Sequence, residues 1–370
     1  MKITEIAVER LRLPLDPPFR AAWDPDPQRG FEATLVRVHT DEGVTGVGSG
    51  GSMEGFDAYR HLFLGTDPLD LVTQVRTIET ADHGARYWPL EAAFWDILGK
   101  VTGQPVSVLF GNAGKRLPAY ASTGELRDPA ERAESAVAAK ERGFRAMKIR
   151  IDRGHVHEGI ETVRRIREAV GDGFEIMADL GQSWRRAGDV APATDLVRTR
   201  KIVAQLGEYG VFWVEEPLPY PDLPGFKRLR ADIPHVRIAG AALHHSVPEL
   251  LRSLELDALD IYQMDAVLAV GMLRARTLAE LALLKHRHFT PHSWTNGIGL
   301  LANLHVAAGV GGGPFFEFPY DPPGWTPERR DFMLTRPLDI DADGCLTVPQ
   351  TPGLGVELDE DAVRRWTVDY

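Results

Sequence analysis

The chain has 370 residues, with 42 Lys or Arg, 53 Asp or Glu and a formal net charge of -11. A single hydrophobic core rarely grows to this length, so we expect one large domain and a smaller one. The negative charge is not that of a protein that binds nucleic acid or an anionic membrane, which favours a small-molecule partner. Cys345 is the only cysteine, which excludes a disulfide framework and a zinc site built from cysteines.

The N-terminus, MKITEIAVERLRLPL, alternates apolar and polar residues in the manner of a strand. It lacks the basic start, apolar block and small-residue cleavage site of a signal peptide. No stretch of the sequence approaches the roughly 20 apolar residues of a membrane span. We therefore expect a soluble, cytoplasmic protein.

Residues 1–118 predict a small α+β domain. The segment ATLVRVHTDEGVTGVGSGGS has the pattern of a hairpin that turns at Asp41-Glu42-Gly43 and continues into a Gly-rich loop. The segment LEAAFWDILGKVTG has helical apolar spacing, and Gly103 is placed to end the helix.

Residues 119–335 predict a (β/α)8 barrel. From about residue 120, short apolar strands alternate with longer amphipathic helices, a pattern typical of parallel βα units. A first strand in LPAYAST is followed by candidates in FRAMKIRI, FEIMADL, VFWVEEP, VRIAGAA, LDIYQMD, RHFTPHS and PFFEFP. The polar ends of these seven candidates lie between 23 and 36 residues apart, so each step accommodates one βα unit. Residues 336–370 are expected to return toward the first domain and complete it.

Side-chain alternation predicts which polar residues line the barrel. In AMKIRI the apolar residues would face the helices, which leaves Lys148 and Arg150 inside. The same parity puts one residue of each later strand inside, near the carboxyl end where barrel enzymes hold their active sites. These residues are Asp179, Glu215, Ala242, Asp265, His292 and Glu317.

The residue types suggest a cation site and an acid/base pair. Asp179 and Glu215 lie on successive strands and could give two oxygen ligands to Mg²⁺, or could instead form ion pairs with Lys148 or Arg150. Asp265 on the strand before His292 would orient the imidazole and raise its basicity, which suits it to proton transfer.

These segments resemble the mandelate racemase and muconate lactonizing enzyme family of the enolase superfamily. The resemblance covers nearly the whole chain, through LEAAFWDILGKVTGQPVSVLFGN, AMKIR, DLGQSW, WVEEP, IAGAA, DIYQMDAVLAVGML, TPHSWTNGIGLLANLH and PQTPGLGVELDEDAV. His292, Asp265 and Glu317 are similar to the residues of the mandelate racemase-like sugar-acid branch. The resemblance implies an enolase-like modified barrel beneath an N-terminal capping domain, in a homo-oligomer.

The resemblance also implies roles for individual residues. Mg²⁺ would bind the substrate carboxylate and stabilise an enediolate, with Asp179 and Glu215 as ligands. Glu317 would hydrogen-bond a substrate carboxylate oxygen, and His292 would be the acid or base on one face. The capping domain would close over the barrel. The substrate-binding candidates are Arg20, Trp23 and Ser52 of the capping domain and Trp294 of the barrel.

The sequence departs from the family on the strand that carries Lys148. Family members have a Lys-x-Lys pair there, whose second lysine is the base opposite His292, and this chain has Arg150 instead. A guanidinium keeps its proton at neutral pH, which disfavours racemisation by two bases. We expect Lys148 to act electrostatically, and as a base only if burial and Arg150 lower its pKa.

The second departure lies in RIAGAALHH, where the family supplies its third metal carboxylate and this chain has Ala242. Nearby, Gly181 in DLGQSW stands where many relatives have Asn. Four interpretations stay open. Asp179 and Glu215 hold Mg²⁺ weakly; His244 or His245 substitutes as a ligand for another metal; the basic side chains replace the metal; or the chain is a non-catalytic ligand-binding relative.

The sequence favours a lyase of the sugar-acid dehydratase type that acts on a hydroxy-carboxylate. A single imidazole can take the α-proton and then protonate the departing hydroxyl on the same face. A sugar-lactone cycloisomerase is the main alternative, because it also needs one base and a stabilised enolate.

Overall fold

The computed structural model describes residues 1–81, 86–183 and 189–368. Trp184, the last residue of the DLGQSW motif, and residues 369 and 370 of the predicted C-terminal segment lie outside these ranges. The N-terminal part contains an antiparallel sheet of β1 (Ile3–Phe19), β2 (Gln28–Thr40) and β3 (Thr45–Ser49), in that order. Two 3-10 turns follow at Phe56–Ala58 and Arg60–Leu62, then α1 (Leu71–Ala81), α2 (Trp88–Thr102) and α3 (Val106–Leu109).

Helix α2 lies directly against β3 because the strand offers glycines at the contact. A Cβ on Gly48 would lie 1.9 Å from the Pro89 carbonyl oxygen, and one on Gly46 would lie 2.2 Å from the Ala93 carbonyl oxygen. Only glycine permits this close approach of strand to helix. The predicted hairpin and the predicted end of α2 at Gly103, which has φ +66°, are both confirmed.

Parallel strands then curl into the barrel that the alternating pattern predicts. The strands are β4 (Arg116–Ser122), β5 (Ala146–Arg150), β6 (Glu175–Asp179), β7 (Val211–Glu215), β8 (Arg237–Gly240), β9 (Ile261–Tyr262), β10 (His288–Phe289) and β11 (Phe316–Pro319). Their order in the described sheet is β10-β9-β8-β7-β6-β5-β4-β11. The two ends of this order meet where Thr290 Oγ1 donates to the Phe315 carbonyl oxygen at 3.1 Å.

Helices cover the outside of the barrel. They are α4 (Pro129–Arg142), α5 (Val156–Val170), α6 (Leu196–Glu208), α7 (Leu223–Asp232), α8 (Val247–Leu256), α9 (Met272–Leu284) and α10 (Gly297–Val310). The remaining elements are α11 (Pro327–Arg330), β12 (Cys345–Thr347) and α12 (Glu360–Trp366). Within the described ranges, no helix combines the length and the apolar character needed to cross a membrane.

A separate apolar cluster fills the barrel interior on the side of the amino ends of the strands. Its buried members are Tyr120, Ala146, Met177, Trp213, Ala239 and Ile261. The polar residues of β5, β6 and β7 share the parity of this cluster and lie nearer the carboxyl ends of the strands. Arg150 is level with Asp179, and Asp179 is level with Glu215.

The C-terminal segment contacts both parts of the chain. β12 pairs antiparallel with the start of β4, and Arg37 of β2 forms an ion pair with Glu360. Asp96 of α2 accepts hydrogen bonds from the backbone N–H groups of Val47 and Leu354 at 2.9 and 2.8 Å. These contacts link the segment to the N-terminal sheet. The predicted domain boundaries, at residues 118 and 335, stay a prediction.

We expect Asp96→Ala to lower the free energy of unfolding by about 3 kcal/mol, because two backbone N–H groups lose their buried acceptor. Urea denaturation followed by circular dichroism measures the loss. Asp361→Ala is the matched control, since the Asp361 side chain is 82% exposed and pairs only with neighbouring Arg364 among the described contacts. Equal stability of the two variants would contradict the expectation.

Candidate active site

Lys148 lies among the carboxylates at the carboxyl end of the barrel. Its Nζ donates to Glu215 Oε1 at 2.7 Å, to Glu215 Oε2 at 2.8 Å and to Glu317 Oε1 at 2.8 Å. Asp179 Oδ2 is 3.8 Å away, and the Lys148 side chain is fully buried. Burial acts to lower the pKa of Lys148, but the charges of Glu215 and Glu317 outweigh it and raise the pKa. The ammonium group is therefore held protonated among the carboxylates, as the expected electrostatic role requires.

Arg150 forms the second ion pair of the site. Its Nη1 donates to Asp179 Oδ2, and its Nε donates to the Thr123 carbonyl oxygen at 3.2 Å. The guanidinium carbon lies 4.9 Å from the ring centroid of Trp23 and 5.9 Å from that of Trp294. The ion pairs that the sequence left open as the alternative to a metal site are thus present.

Glu317 acts as a hydrogen-bond acceptor on both oxygens. Oε1 accepts from Lys148 and, at 2.7 Å, from Ser122 Oγ, while Oε2 accepts from the backbone N–H of Ser293 at 2.7 Å. Although burial acts to raise it, the positive charges of Lys148 and His292 lower the pKa of Glu317 to about 2. An ionised carboxylate has no proton to donate. In this arrangement Glu317 accepts from Lys148, and the bond to a substrate carboxylate that the resemblance implies stays a prediction.

His292 and Asp265 form the predicted pair. His292 Nδ1 lies 3.0 Å from Asp265 Oδ2, and the His292 side chain is 11% exposed. A carboxylate at Nδ1 places the proton there and leaves Nε2 as the reacting nitrogen. Burial acts to lower the pKa of His292, but the charge of Glu317 and the hydrogen bond to Asp265 raise it.

Asp265 is itself fixed through its second oxygen. Oδ1 accepts from the backbone N–H groups of Val267 and Leu268 at 2.7 and 2.9 Å, and from Asn303 Nδ2 at 3.1 Å. These bonds hold the carboxylate in the one orientation that meets His292. The geometry of the pair therefore comes from a loop and a helix rather than from a strand.

The parity prediction for this pair needs correction, because β9 and β10 are only two residues long. Asp265 lies three residues beyond Tyr262, and His292 lies three residues beyond Phe289. Side-chain alternation does not extend through loops. The two residues meet because the backbone N–H of His292 bonds to the Gln263 carbonyl oxygen at 2.9 Å.

Two of the four predicted substrate-binding residues lie at the site. The rings of Trp23 and Trp294 meet edge to face with centroids 4.8 Å apart, next to Arg150. Ser52 is exposed, and its hydroxyl caps the Glu54 backbone N–H at 3.1 Å. The Arg20 side chain is also exposed, and its backbone N–H bonds to Glu125 at 3.1 Å. Among the described contacts, neither Arg20 nor Ser52 reaches Lys148, Arg150 or the carboxylates that pair with them.

Ala242 does not occupy the inward strand position that parity predicts. β8 ends at Gly240, and Ala241 has φ +73°, which interrupts the alternation. The inward residue of β8 is Ala239, level with Glu215. Ala242 is nevertheless buried, with 2% exposure, and its carbonyl oxygen accepts from the backbone N–H of Asp265 at 3.1 Å. A methyl group therefore stands beside the site and supplies no ligand.

His244 and His245 contact other groups. His244 Nε2 lies 2.6 Å from Glu249 Oε2, and its ring stacks on Tyr220 with centroids 3.6 Å apart. His245 Nδ1 lies 3.3 Å from the Ala269 carbonyl oxygen. Among the described contacts, neither histidine reaches Asp179 or Glu215, and their role as substitute ligands stays a prediction.

The remaining acids do not fit a three-carboxylate Mg²⁺ site. Asp179 Oδ1 accepts from the Gly181 N–H at 2.8 Å and Oδ2 from Arg150, while both Glu215 oxygens accept from Lys148. Within residues 1–81, 86–183 and 189–368, no group of three or more His, Cys, Asp or Glu is arranged to hold a metal ion. The two acids that the family uses as ligands are engaged by side-chain cations here.

Three polar residues of the site escaped the sequence-based prediction. Ser122 ends β4, and Gln263 Nε2 donates to Glu215 Oε2 at 2.7 Å. Gln263 directly follows β9 and shares the parity of the inward Ile261, but glutamine is too common a residue type to be marked as part of a site. Glu216 is buried with φ +46°. Burial, followed by the charges of Asp179 and Glu215, raises the pKa of Glu216 well above its usual range.

Comparison with known proteins agrees with this geometry. The family model described as "Enolase C-terminal domain-like" matches residues 130–362. D-galactarolactone cycloisomerase of Agrobacterium fabrum is 29% identical over 385 aligned positions, which cover 98% of each chain. D-xylonate dehydratase of Haloferax volcanii is 27% identical, covering 90% of this chain and 85% of that protein.

Among solved structures, that of D-glucarate dehydratase from Agrobacterium tumefaciens, complexed with magnesium, superimposes with a TM-score of 0.86. It is 21% identical and covers all of both chains. This similarity establishes the fold, namely the barrel with its N-terminal cap.

We expect Asp265→Asn to lower the pKa of His292, because it removes the negative charge beside Nδ1 while preserving the size of the side chain. NMR titration of the imidazole measures the change. His305 is the internal control, since burial lowers its pKa to about 4 and it lies between the Ser107 N–H and the Leu354 carbonyl oxygen. An unchanged His292 pKa would show that Asp265 does not tune it.

Proposed function

Because this chain belongs to the enolase C-terminal domain-like family, we propose that it removes the proton α to the carboxylate of a sugar acid and eliminates water. His292 is the acid and base of this reaction. The observation that carries the proposal is the oriented His292–Asp265 pair, with Nδ1 to Oδ2 at 3.0 Å. The dehydratases and cycloisomerases among its relatives support the same class of chemistry.

His292 is suited to this role because it can exchange a proton near neutral pH. Lys148 is held protonated by two carboxylates, and Arg150 keeps its proton at any physiological pH. Of these three basic side chains, His292 alone can serve as the neutral base. A site with one such base favours elimination over racemisation, which would need a second base on the opposite face.

The proposed reaction conserves protons. Neutral Nε2 of His292 takes the α-proton, and the electron pair passes into the carboxylate to form an enolate. The Cβ–O bond then breaks, and the imidazolium returns its proton to the departing hydroxyl, which leaves as water. The enol product becomes a 2-oxo-3-deoxy acid. Lys148 and Arg150 lower the energy of the enolate through their positive charge.

A lactone cycloisomerase is the second candidate. It is favoured by the cycloisomerase relative that aligns over 98% of both chains. The proton transfer is the same, but the leaving group is the ring oxygen of the lactone, which stays attached to the product. Product analysis therefore separates the two activities, while the role of His292 is common to both.

We expect His292→Asn to reduce turnover by about 10²–10⁴-fold. The assay supplies aldonic and aldaric acids and their lactones in D₂O, and NMR detects 2-oxo acids and deuterium at the α-carbon. Because the pKa of His292 is raised above its ordinary 6.5, wild-type kcat/KM should increase as the pH rises through a value above 6.5. His305→Asn is the control, since His305 is buried away from the pair.

Two outcomes would contradict the proposal. One is that His292→Asn leaves a detected activity unchanged. The other is that sugar acids raise the thermal midpoint of the wild type but never exchange the α-proton, which would identify the non-catalytic ligand-binding relative instead.

We also propose that this chemistry does not use a tightly bound Mg²⁺. The similar solved structures that contain magnesium are 24% and 21% identical, too distant to decide whether this chain binds it. Support comes from Lys148 and Arg150, which engage Glu215 and Asp179, and from Ala242, which provides no third carboxylate. Two carboxylates with two cations beside them have little remaining attraction for a divalent ion.

We expect EDTA-treated protein to show no saturable rise in thermal midpoint when MgCl₂ is added, because no ligand set is free to bind it. NaCl at equal ionic strength controls for screening. Asp179→Asn is the matched variant, since it keeps an acceptor for Arg150 but weakens any cation site. A saturable rise in the wild type that disappears in Asp179→Asn would overturn this part of the proposal.

A further inference from the structure

The two cations of the site differ in the donors that they have left. An ammonium group has three N–H donors. Lys148 Nζ donates three hydrogen bonds to carboxylate oxygens, two on Glu215 and one on Glu317, at 2.7 to 2.8 Å. Lys148 therefore has no donor available for a ligand unless one of these bonds breaks.

Arg150 is in the opposite situation. A guanidinium has five N–H donors in one plane. Nε donates to the Thr123 carbonyl oxygen and Nη1 to Asp179, but among the described residues Nη2 donates to no acceptor. The side chain is 9% exposed. Arg150 is thus held at one edge and keeps unused donors on another.

Aromatic rings fix the plane of this guanidinium. Trp23 comes from the segment between β1 and β2, and Trp294 follows His292 by two residues. Their ring centroids lie 4.9 and 5.9 Å from the guanidinium carbon. Trp294 Nε1 donates to Ser122 Oγ at 2.8 Å, which anchors that ring to the hydroxyl that also bonds Glu317. The unused edge therefore has a defined direction.

We propose that Arg150 binds the carboxylate of the substrate through its Nη edge and so positions the α-carbon for His292. The proposal rests on the proposed function only for the nature of the ligand, a hydroxy-carboxylate. Asp179 offsets part of the charge of Arg150, and the guanidinium adds direction through parallel N–H donors that match a carboxylate. The residue that replaces a basic lysine becomes the anchor of the acid group.

Neutralisation of Asp179 alone would not require an arginine. A lysine at this position would balance the same charge, but it could not present a planar pair of donors beside Trp23 and Trp294. The Arg150→Lys variant therefore separates charge balance from carboxylate recognition. It also keeps a cation beside Asp179, which protects the fold.

The test measures the binding of tartronate by isothermal titration calorimetry in EDTA. Tartronate is a hydroxy-carboxylate without a β-hydroxyl, so it cannot lose water. We expect it to bind the wild type without metal, and Arg150→Lys to weaken binding by about tenfold or more, as expected for a lost charge-assisted bond. Arg150→Met should weaken it further, and circular dichroism checks that each variant is folded.

The proposal is overturned if tartronate binds only when Mg²⁺ is added, if it fails to bind the wild type at millimolar concentration, or if Arg150→Lys binds as tightly as the wild type. His292→Asn distinguishes this proposal from the proposed function. It should bind tartronate as the wild type does while losing proton exchange. Binding through Arg150 with no turnover in the wild type would leave the anchor established and the dehydratase rejected.

Discussion

The buried ammonium group of Lys148 is the interaction on which the rest of the site depends. Glu215 and Glu317 approach each other inside the barrel, where two ionised carboxylates repel and neither is well solvated. Lys148 bonds to both and offsets their negative charge. Through Glu317 its influence extends to Ser122 and to the loop that carries His292. Lys148 therefore connects the two acids to the loop that carries the imidazole.

Regular strands explain which parts of the site could be predicted from the sequence. β5, β6 and β7 end at Arg150, Asp179 and Glu215, so the polar residues lie within regular strands. Alternation and spacing therefore placed these three residues and Lys148 correctly. The eight-stranded barrel followed from the same periodicity. The sequence correctly predicted that Asp265 and His292 form a pair. It placed them on strands, whereas they lie in loops beyond β9 and β10, where hydrogen bonds position both residues.

The position of Ala242 beyond the end of β8 has a local physical cause. A single residue with positive φ, Ala241, ends the alternation that any parity argument assumes. Neutral polar residues such as Ser122 and Gln263 were missed for another reason. Their types are common on any strand, and only the positions of their carboxylate partners reveal their role.

The two departures from the family pattern concern the same group of charges. Ala242 removes one carboxylate from the surroundings of Asp179 and Glu215, while Lys148 pairs with Glu215 and Glu317 and Arg150 pairs with Asp179. Arginine at position 150 also reaches Asp179 with a planar group that the two tryptophans can cover. The changes in the two strands are therefore best understood as one altered charge arrangement.

Asp96 carries a consequence for the order in which the protein folds during synthesis. Its carboxylate joins β3 to the backbone of Leu354, so its bonding is satisfied only when a residue near the end of the chain is available. On the ribosome, the N-terminal sheet cannot form this contact until all strands of the barrel, which end at Pro319, have been translated. The cap is the first part of the protein to be made and the last to be completed.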